Sequence, residues 1–304
     1  MNAAVKRLDV ICIGRVAVDL YAQQIGARLE DVASFSKYLG GSSGNVAFGT
    51  AIQGLKSAML ARVGDEHNGR FLRETLARAG VDTEYLITDK QRLTALVMLG
   101  IKDQETFPLI FYRDNCADMA LVPEDINEEY IASSRALAVM GTHLSHASTR
   151  AAVLKALEYA RRHGLRTALD IDYRPVLWGL TSLGDGETRF IESGPVTSQL
   201  QEVLHLFDLV VGTEEEFHIA GGSTDTLLAL ANTSLSSDSV TKQVAGEARD
   251  DTRQALDAVW EEEQVKFIED NATACDSSPL QNYQRRFSQD VAPQYVDVSA
   301  GGPK

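Results

Sequence analysis

Apolar positions along this chain switch repeatedly between two periods. Leu8–Gly14 is a continuous apolar, β-branched run ending in glycine, the pattern of a strand buried on both faces. Gly44–Leu55 predicts a helix, Ser57–Val63 a strand, and Glu66–Ala79 an amphipathic helix closed by Gly80. Leu20–Leu39 and Thr94–Tyr112 alternate without a helical period and predict a small sheet projecting from the main body. The strand–helix rhythm then resumes. Ala136–Met140 predicts a strand, Ala147–His163 a helix with Ala151, Leu154, Leu157 and Ala160 at helical spacing, and Arg166–Ile171 and Phe207–Val211 two more strands. Repeated strand–helix–strand units imply an α/β fold, with a central mostly parallel sheet, helices on both faces and a small β lid. Ligands of such sheets sit beyond the carboxyl ends of the strands. The polar residues there, Asp19, Asp172, Arg174 and the Thr213–Glu216 cluster, are therefore the first candidates for chemistry.

Glycine usage divides the chain. Residues 1–230 hold 20 glycines and residues 231–304 hold 3, with none between Gly246 and Gly301. This suggests a core over 1–230, with lid strands within about 15–40 and 94–113, and an acidic segment over 231–304 of a different kind. Asn232–Lys242 is rich in Ser and Thr and reads as a linker or loop. Asp250–Asn271 is an acidic helix candidate, and Ser277–Lys304 is polar without a clear period.

Charge and cysteine narrow the function. The formal net charge of −14 repels nucleic acid and anionic lipid, so neither is expected as a partner. A few local arginines can still attract a small anion. Cys12, Cys116 and Cys275 form no disulfide framework and no paired metal spacing, which points to a reducing cytoplasm. The apolar run near the N-terminus is interrupted by Asp9 and reads as a strand, not a secretion signal, and no stretch approaches the ~20 apolar residues of a membrane span. His143 and His146 lack further ligands at zinc spacing and read as loop residues, Cys12 as core, and Trp178 as packing at a loop end.

The densest motif is Gly40, Gly41, Gly44, Asn45 and Ala47, where glycines precede a helix. Glycine lets backbone approach a ligand, helix-start N–H groups attract oxygens, and the Asn45 amide both donates and accepts. No Gly-Lys-Ser/Thr follows, so this is not a Walker loop. The spacing resembles the N-terminal signature of the PfkB (ribokinase-like) carbohydrate kinases. Five further blocks resemble that family in the same order: Gly14 to Asp19, Ala61 to Gly69, Phe111 to Arg113, Asp170 to Trp178, and Val211 to Glu216.

The resemblance implies a ribokinase-like fold using ATP and Mg2+. It implies substrate binding by Asp19, Gly41, Asn45, Arg113 and Arg174, with Glu216 and more weakly Asp172 facing the magnesium nucleotide. Asp172 and Thr213 stand where most members carry Asn. The wording of the Phe111–Asp118 and Val211–Phe217 segments is that of the branch acting on 5-dehydro-2-deoxy-D-gluconate. A carboxylate substrate suits arginine. A 2-dehydro-3-deoxygluconate or fructose kinase and an inert sugar-binding protein of the same fold are the alternatives. Pairing of two chains through the lid is a further implication. The family takes its base and its anion hole from a Gly-Ala-Gly-Asp segment, which this sequence does not contain. No catalytic residue is therefore assigned, and the C-terminal part of the fold reads as missing or replaced.

Overall fold

The computed structural model describes residues 6–102, 107–235 and 241–244. The chain opens with β1 (Leu8–Ile13), β2 (Ala17–Ala22) and β3 (Phe35–Gly40), followed by α1 (Ser42–Ile52), β4 (Ser57–Gly64), α2 (His67–Arg78) and β5 (Leu86–Asp89). It continues through β6 (Leu96–Leu99), β7 (Leu109–Tyr112), α3 (Glu128–Ala132), β8 (Ser134–Met140), α4 (Ala147–Arg162) and β9 (Arg166–Asp170). The last described elements are α5 (Gly194–Leu204), β10 (Leu209–Gly212), α6 (Glu214–Gly221), α7 (Thr226–Leu235) and β11 (Thr241–Val244).

Seven strands form one sheet in the order β11-β10-β9-β8-β1-β4-β5, and every pair in it is parallel. The apolar run of β1 lies inside this sheet between β4 and β8. Val10 and Cys12 pack with Met59, Ala61 and the α2 residues Leu72 and Leu76. The alternating residues Ile11, Ile13, Leu60, Leu137 and Val139 are equally buried. Both faces of the sheet are thus covered, as continuous apolar strands require.

The two stretches without a helical period make a second, four-stranded sheet in the order β3-β2-β6-β7. Its β2–β6 pair is parallel and its other two pairs are antiparallel. Val97, Leu109 and Phe111 of this lid pack on Val176, which belongs to a 3₁₀ turn following β9. The segment after that turn is tied to β7 through Phe111 N to Leu183 O at 3.1 Å and Gly186 N to Leu109 O at 3.1 Å.

One expectation is corrected. The Ser/Thr-rich stretch Asn232–Lys242 is not simply a linker: its first residues complete α7, and Thr241 and Lys242 begin β11, which pairs in parallel with β10. A short edge strand is held by backbone pairing and needs no apolar period, so its sequence carries little signal. The helix expected over Asp250–Asn271 and the segment Ser277–Lys304 lie outside the described residues. No helix among the described residues is long and apolar enough to cross a membrane.

Candidate functional site

The carboxyl ends of β1, β8, β9 and β10 form a rim that α1 and the lid approach. Gly41 makes the approach of α1 possible. It is the N-cap of α1 with φ 84°, and a Cβ there would stand 2.5 Å from the Arg15 carbonyl. Gly40 plays a related part for Asp19 on β2, because a Cβ at Gly40 would fall 2.1 Å from the Asp19 carboxyl. Asp19 is pressed against bare backbone, and burial pushes its carboxyl up to about 6 against the pull of Arg15. Asn45 lies in the first turns of α1 and is exposed.

Around these residues lie several buried polar groups that the protein itself leaves unpaired. Arg15 follows β1 and is 8 % exposed; its Nε is fully shielded and meets no acceptor. Its guanidinium stands 5.8 Å from the centre of the Phe111 ring on the lid. Burial lowers its pKa, and Asp172, Arg113, Asp19 and Asp118 all act on its charge through space. Ser43 Oγ, Thr142 Oγ1 and Asp118 Oδ1 are also shielded and unpaired. His143, in the 3₁₀ turn after β8, is fully buried. Neither ring nitrogen meets a partner in hydrogen-bond geometry, although the ring faces the Asp118 backbone. Burial, reinforced by Arg113, pushes its imidazole down to about 3, so it is neutral at ordinary pH. Six of the eight shielded, unpaired side-chain atoms among the described residues belong to this rim. Such atoms are rare in folded proteins, and their concentration here sets this rim apart from the rest of the described chain.

Arg113 also comes to this rim but is already engaged. Its Nε donates to Asp118 Oδ2 at 2.7 Å, and the two residues are 5 % and 1 % exposed. A short bond crosses to the neighbouring half of the rim, where Ser42 Oγ of α1 donates to Asp172 Oδ2 at 2.5 Å. Asp172 has φ 39°, a left-handed conformation that Asp tolerates better than most residues, and its N–H reaches Asp170 Oδ1 at 3.2 Å. Asp170 is pushed up to about 7 by burial and by the charges of Asp172 and Glu216.

Glu216 closes this half. Its Oε2 accepts from Thr213 N at 2.7 Å while Thr213 Oγ1 accepts from Glu216 N, a capping box that starts α6. Its Oε1 accepts from Tyr173 N at 3.1 Å, and Arg174 Nη1 lies 3.5 Å away. Arg174 Nη1 also donates to the Tyr173 carbonyl at 2.8 Å. Burial raises the Glu216 pKa. Thr213, where the resemblance led one to expect Asn, is thus the N-cap of this helix. No group of three His, Cys, Asp or Glu side chains at metal-ligating distance occurs among the described residues.

Of the residues singled out from sequence, Asp19, Gly41 and Arg113 gather around Arg15, whereas Arg174, Glu216 and Asp172 gather after β9. Asp172 lies between the two groups. Sequence reading passed over Arg15, Asp118 and the depth of His143. The one available signal for Arg15 was a single charge set between Ile13-Gly14 and Val16-Ala17-Val18. A cleft of about 560 Å³ elsewhere holds Arg62 and Arg92, but both cations are already paired with Asp89, and Arg62 also with Asp125.

Comparison with known proteins agrees with this architecture. The profile described as pfkB family carbohydrate kinase matches residues 7–246. A 5-dehydro-2-deoxygluconokinase of Geobacillus thermodenitrificans is 39 % identical over 214 residues, which are 70 % of this chain and 60 % of that protein. The chain therefore spans about three fifths of the length of that relative. The crystal structure of a PfkB protein from Polaromonas sp. JS666 superposes with TM-score 0.69 at 25 % identity, covering 79 % of this chain and 78 % of the other. A sugar kinase of Pyrococcus horikoshii, in complex with ATP, superposes with TM-score 0.59 at 26 % identity over 68 % of this chain and 64 % of its own.

Proposed function

Because the chain belongs to the pfkB family of carbohydrate kinases, we propose that it binds a keto sugar acid at the β1–β8 half of the rim, for ATP-dependent phosphorylation. The substrate that fits best is 5-dehydro-2-deoxy-D-gluconate, the name carried by the 39 % identical relative. The observation that carries the reading is the set of shielded, unpaired polar atoms of Arg15, Ser43, Asp118, Thr142 and His143 around the ends of β1 and β8. A hydroxyl-rich acid supplies both acceptors for the cation and hydroxyls, and donors for Asp19 and Asp118.

In the transfer, the C6 hydroxyl oxygen forms a bond to the γ-phosphorus of ATP. The bond from that phosphorus to the β,γ-bridging oxygen breaks, the hydroxyl proton leaves to a base, and ADP departs. Asp19 and Gly41 orient the sugar, and Arg113, held by Asp118, supplies positive potential beside it. The nucleotide belongs on the β9–β10 side, near Asp172, Arg174 and Glu216. Both Glu216 oxygens already accept backbone N–H groups, so Glu216 is poorly placed as an inner-sphere metal ligand. A magnesium ion accompanying the nucleotide would meet Glu216 and Asp172 across water.

A second reading rests on one sequence fact: the 304 residues contain no Gly-Ala-Gly-Asp segment. On that reading the chain binds the acid without transferring phosphoryl. An ADP-coupled assay beside calorimetry with 5-dehydro-2-deoxy-D-gluconate separates the two. Turnover lost in Arg174→Ala supports the kinase, binding without turnover supports the second reading, and no binding at millimolar acid contradicts both.

A further inference from the structure

We propose that Arg15 seats the carboxylate of the sugar acid and so selects an acid over a neutral ketose at this rim. The assignment rests on the sugar-binding reading above and deepens it.

The two arginines favoured by sequence are already engaged. Arg113 is bound by Asp118 at 2.7 Å, and Arg174 is bound by the Tyr173 carbonyl and lies 3.5 Å from Glu216. Arg15 differs from both. It is more than nine-tenths buried, its Nε meets no acceptor, and no carboxylate among the described residues closes an ion pair with it. Asp172, Asp19 and Asp118 act on its charge from a distance without contact. A guanidinium cannot shed its proton to escape burial, so it stays charged with only these distant carboxylates of the described residues to offset it. The Phe111 ring, centred 5.8 Å from the guanidinium carbon, is its close partner on the lid, and a ring supplies no lone-pair acceptor for the N–H groups of the guanidinium fork. That planar fork matches a carboxylate bidentately.

The surroundings fit the same ligand. Ser43 Oγ, packed against Gly14, and Thr142 Oγ1 are shielded hydroxyls without a partner on the same rim. The Arg15 carbonyl accepts from Gly44 N at 3.3 Å and lies against Gly41, so the backbone beneath the guanidinium is anchored to the first turn of α1. A neutral ketose would bring no further negative charge to it, which is the physical basis of the selection.

The test is calorimetric titration of 5-dehydro-2-deoxy-D-gluconate and of D-fructose into the full chain, as wild type, Arg15→Met and Arg15→Lys. Unfolding temperatures with and without sodium glycolate, a minimal hydroxy-carboxylate probe, accompany it. Arg15→Met is expected to weaken the acid about 100-fold and to change fructose less than about threefold. Arg15→Lys, which keeps the charge and loses the fork, is expected to weaken the acid about tenfold. Acid affinity within threefold of wild type in folded Arg15→Met overturns the proposal, as does a wild type that prefers fructose. If Arg15→Met does not fold, unchanged acid affinity in Arg15→Lys overturns it instead. If the wild type binds neither sugar, the sugar reading fails and glycolate decides on Arg15 separately. A rise in unfolding temperature confined to the wild type supports a carboxylate seat, and no rise in any of the three proteins overturns it.

Discussion

At the β1–β8 half of the rim, Arg15, Ser43, Thr142 and His143 carry buried polar atoms that the chain does not satisfy. At the β9–β10 half, Glu216 is satisfied on both oxygens by backbone, Arg174 by a carbonyl, and Asp172 by Ser42. The first half leaves buried polar atoms without partners, whereas most of the second is tied into its own backbone, apart from the buried Asp170 carboxyl beside Asp172 and Glu216. The comparison teaches where each residue's duty lies. A carboxylate such as Glu216 that starts a helix and holds a loop N–H is first a structural group, whatever it later does for a nucleotide. Arg15, by contrast, has among the described residues only the Phe111 ring and the distant pull of Asp172, Asp19 and Asp118 to set against its burial.

The largest expected effect comes from removing the ion-pair partner of Arg113. Asp118→Ala leaves Arg113 buried without its partner beside the equally buried Arg15, and should cost about 3–5 kcal/mol in urea denaturation. A loss below about 1 kcal/mol would show that solvent reaches this pair and that the contrast in burial is false. Gly41→Ala comes next. It forces φ 84° on a residue with a Cβ and drives that Cβ into the Arg15 carbonyl, so a loss of about 2–4 kcal/mol is expected, with sugar binding impaired.

At the other half, Asp170→Asn sharpens the comparison in the opposite direction. The folded pKa near 7 lies above the ordinary unfolded value, so between these values the native state binds more protons. Stability attributable to this group is therefore full at low pH and is lost as pH rises through about 7. The Asn variant keeps the acceptor for Asp172 N and cannot ionise. It should be more stable than wild type by about 2–3 kcal/mol at pH 8, with the gain vanishing near pH 4. Equal stability at both pH values would place Asp170 in contact with solvent. The smallest effect is expected for Thr213→Ala, about 1 kcal/mol from loss of the α6 cap. A collapse of nucleotide binding with unchanged stability would instead give Thr213 a direct role.

Much of this arrangement was legible in the sequence, for local reasons. The apolar run of β1 and the helical period of α4 each report burial through neighbours a few residues away. Gly41 could be recognised because a glycine before a helix carries its geometry with it, whereas Asp19, read as an acid past a strand end, lies within the lid strand β2 opposite Tyr38. Arg15 could not be placed in the same way. Its burial depends on Phe111 in the lid and on α1, which fold over it from distant parts of the chain. His143 looked like a loop residue for the same reason, since the turn after β8 is buried only once Asp118 lies against it. Thr213 and Glu216 do have a local signature, Thr followed three residues later by Glu, and the capping box they form is what that spacing describes. The strand β11 left no trace because an edge strand of four residues is specified by its neighbour's backbone.

If the β1–β8 half is the sugar-acid site, Asp19 reports on it most directly. Calorimetric titration of 5-dehydro-2-deoxy-D-gluconate should be run from pH 5 to pH 8 on the wild type and on Asp19→Asn. Burial holds Asp19 near 6, so one-to-one binding should strengthen as pH rises through 6 and Asp19 becomes a charged acceptor, by up to about tenfold per pH unit below that point. Asp19→Asn should bind more weakly, with no step near pH 6. Identical titration curves for the two proteins across this range would contradict the account, because the acid would then be bound somewhere that Asp19 does not reach.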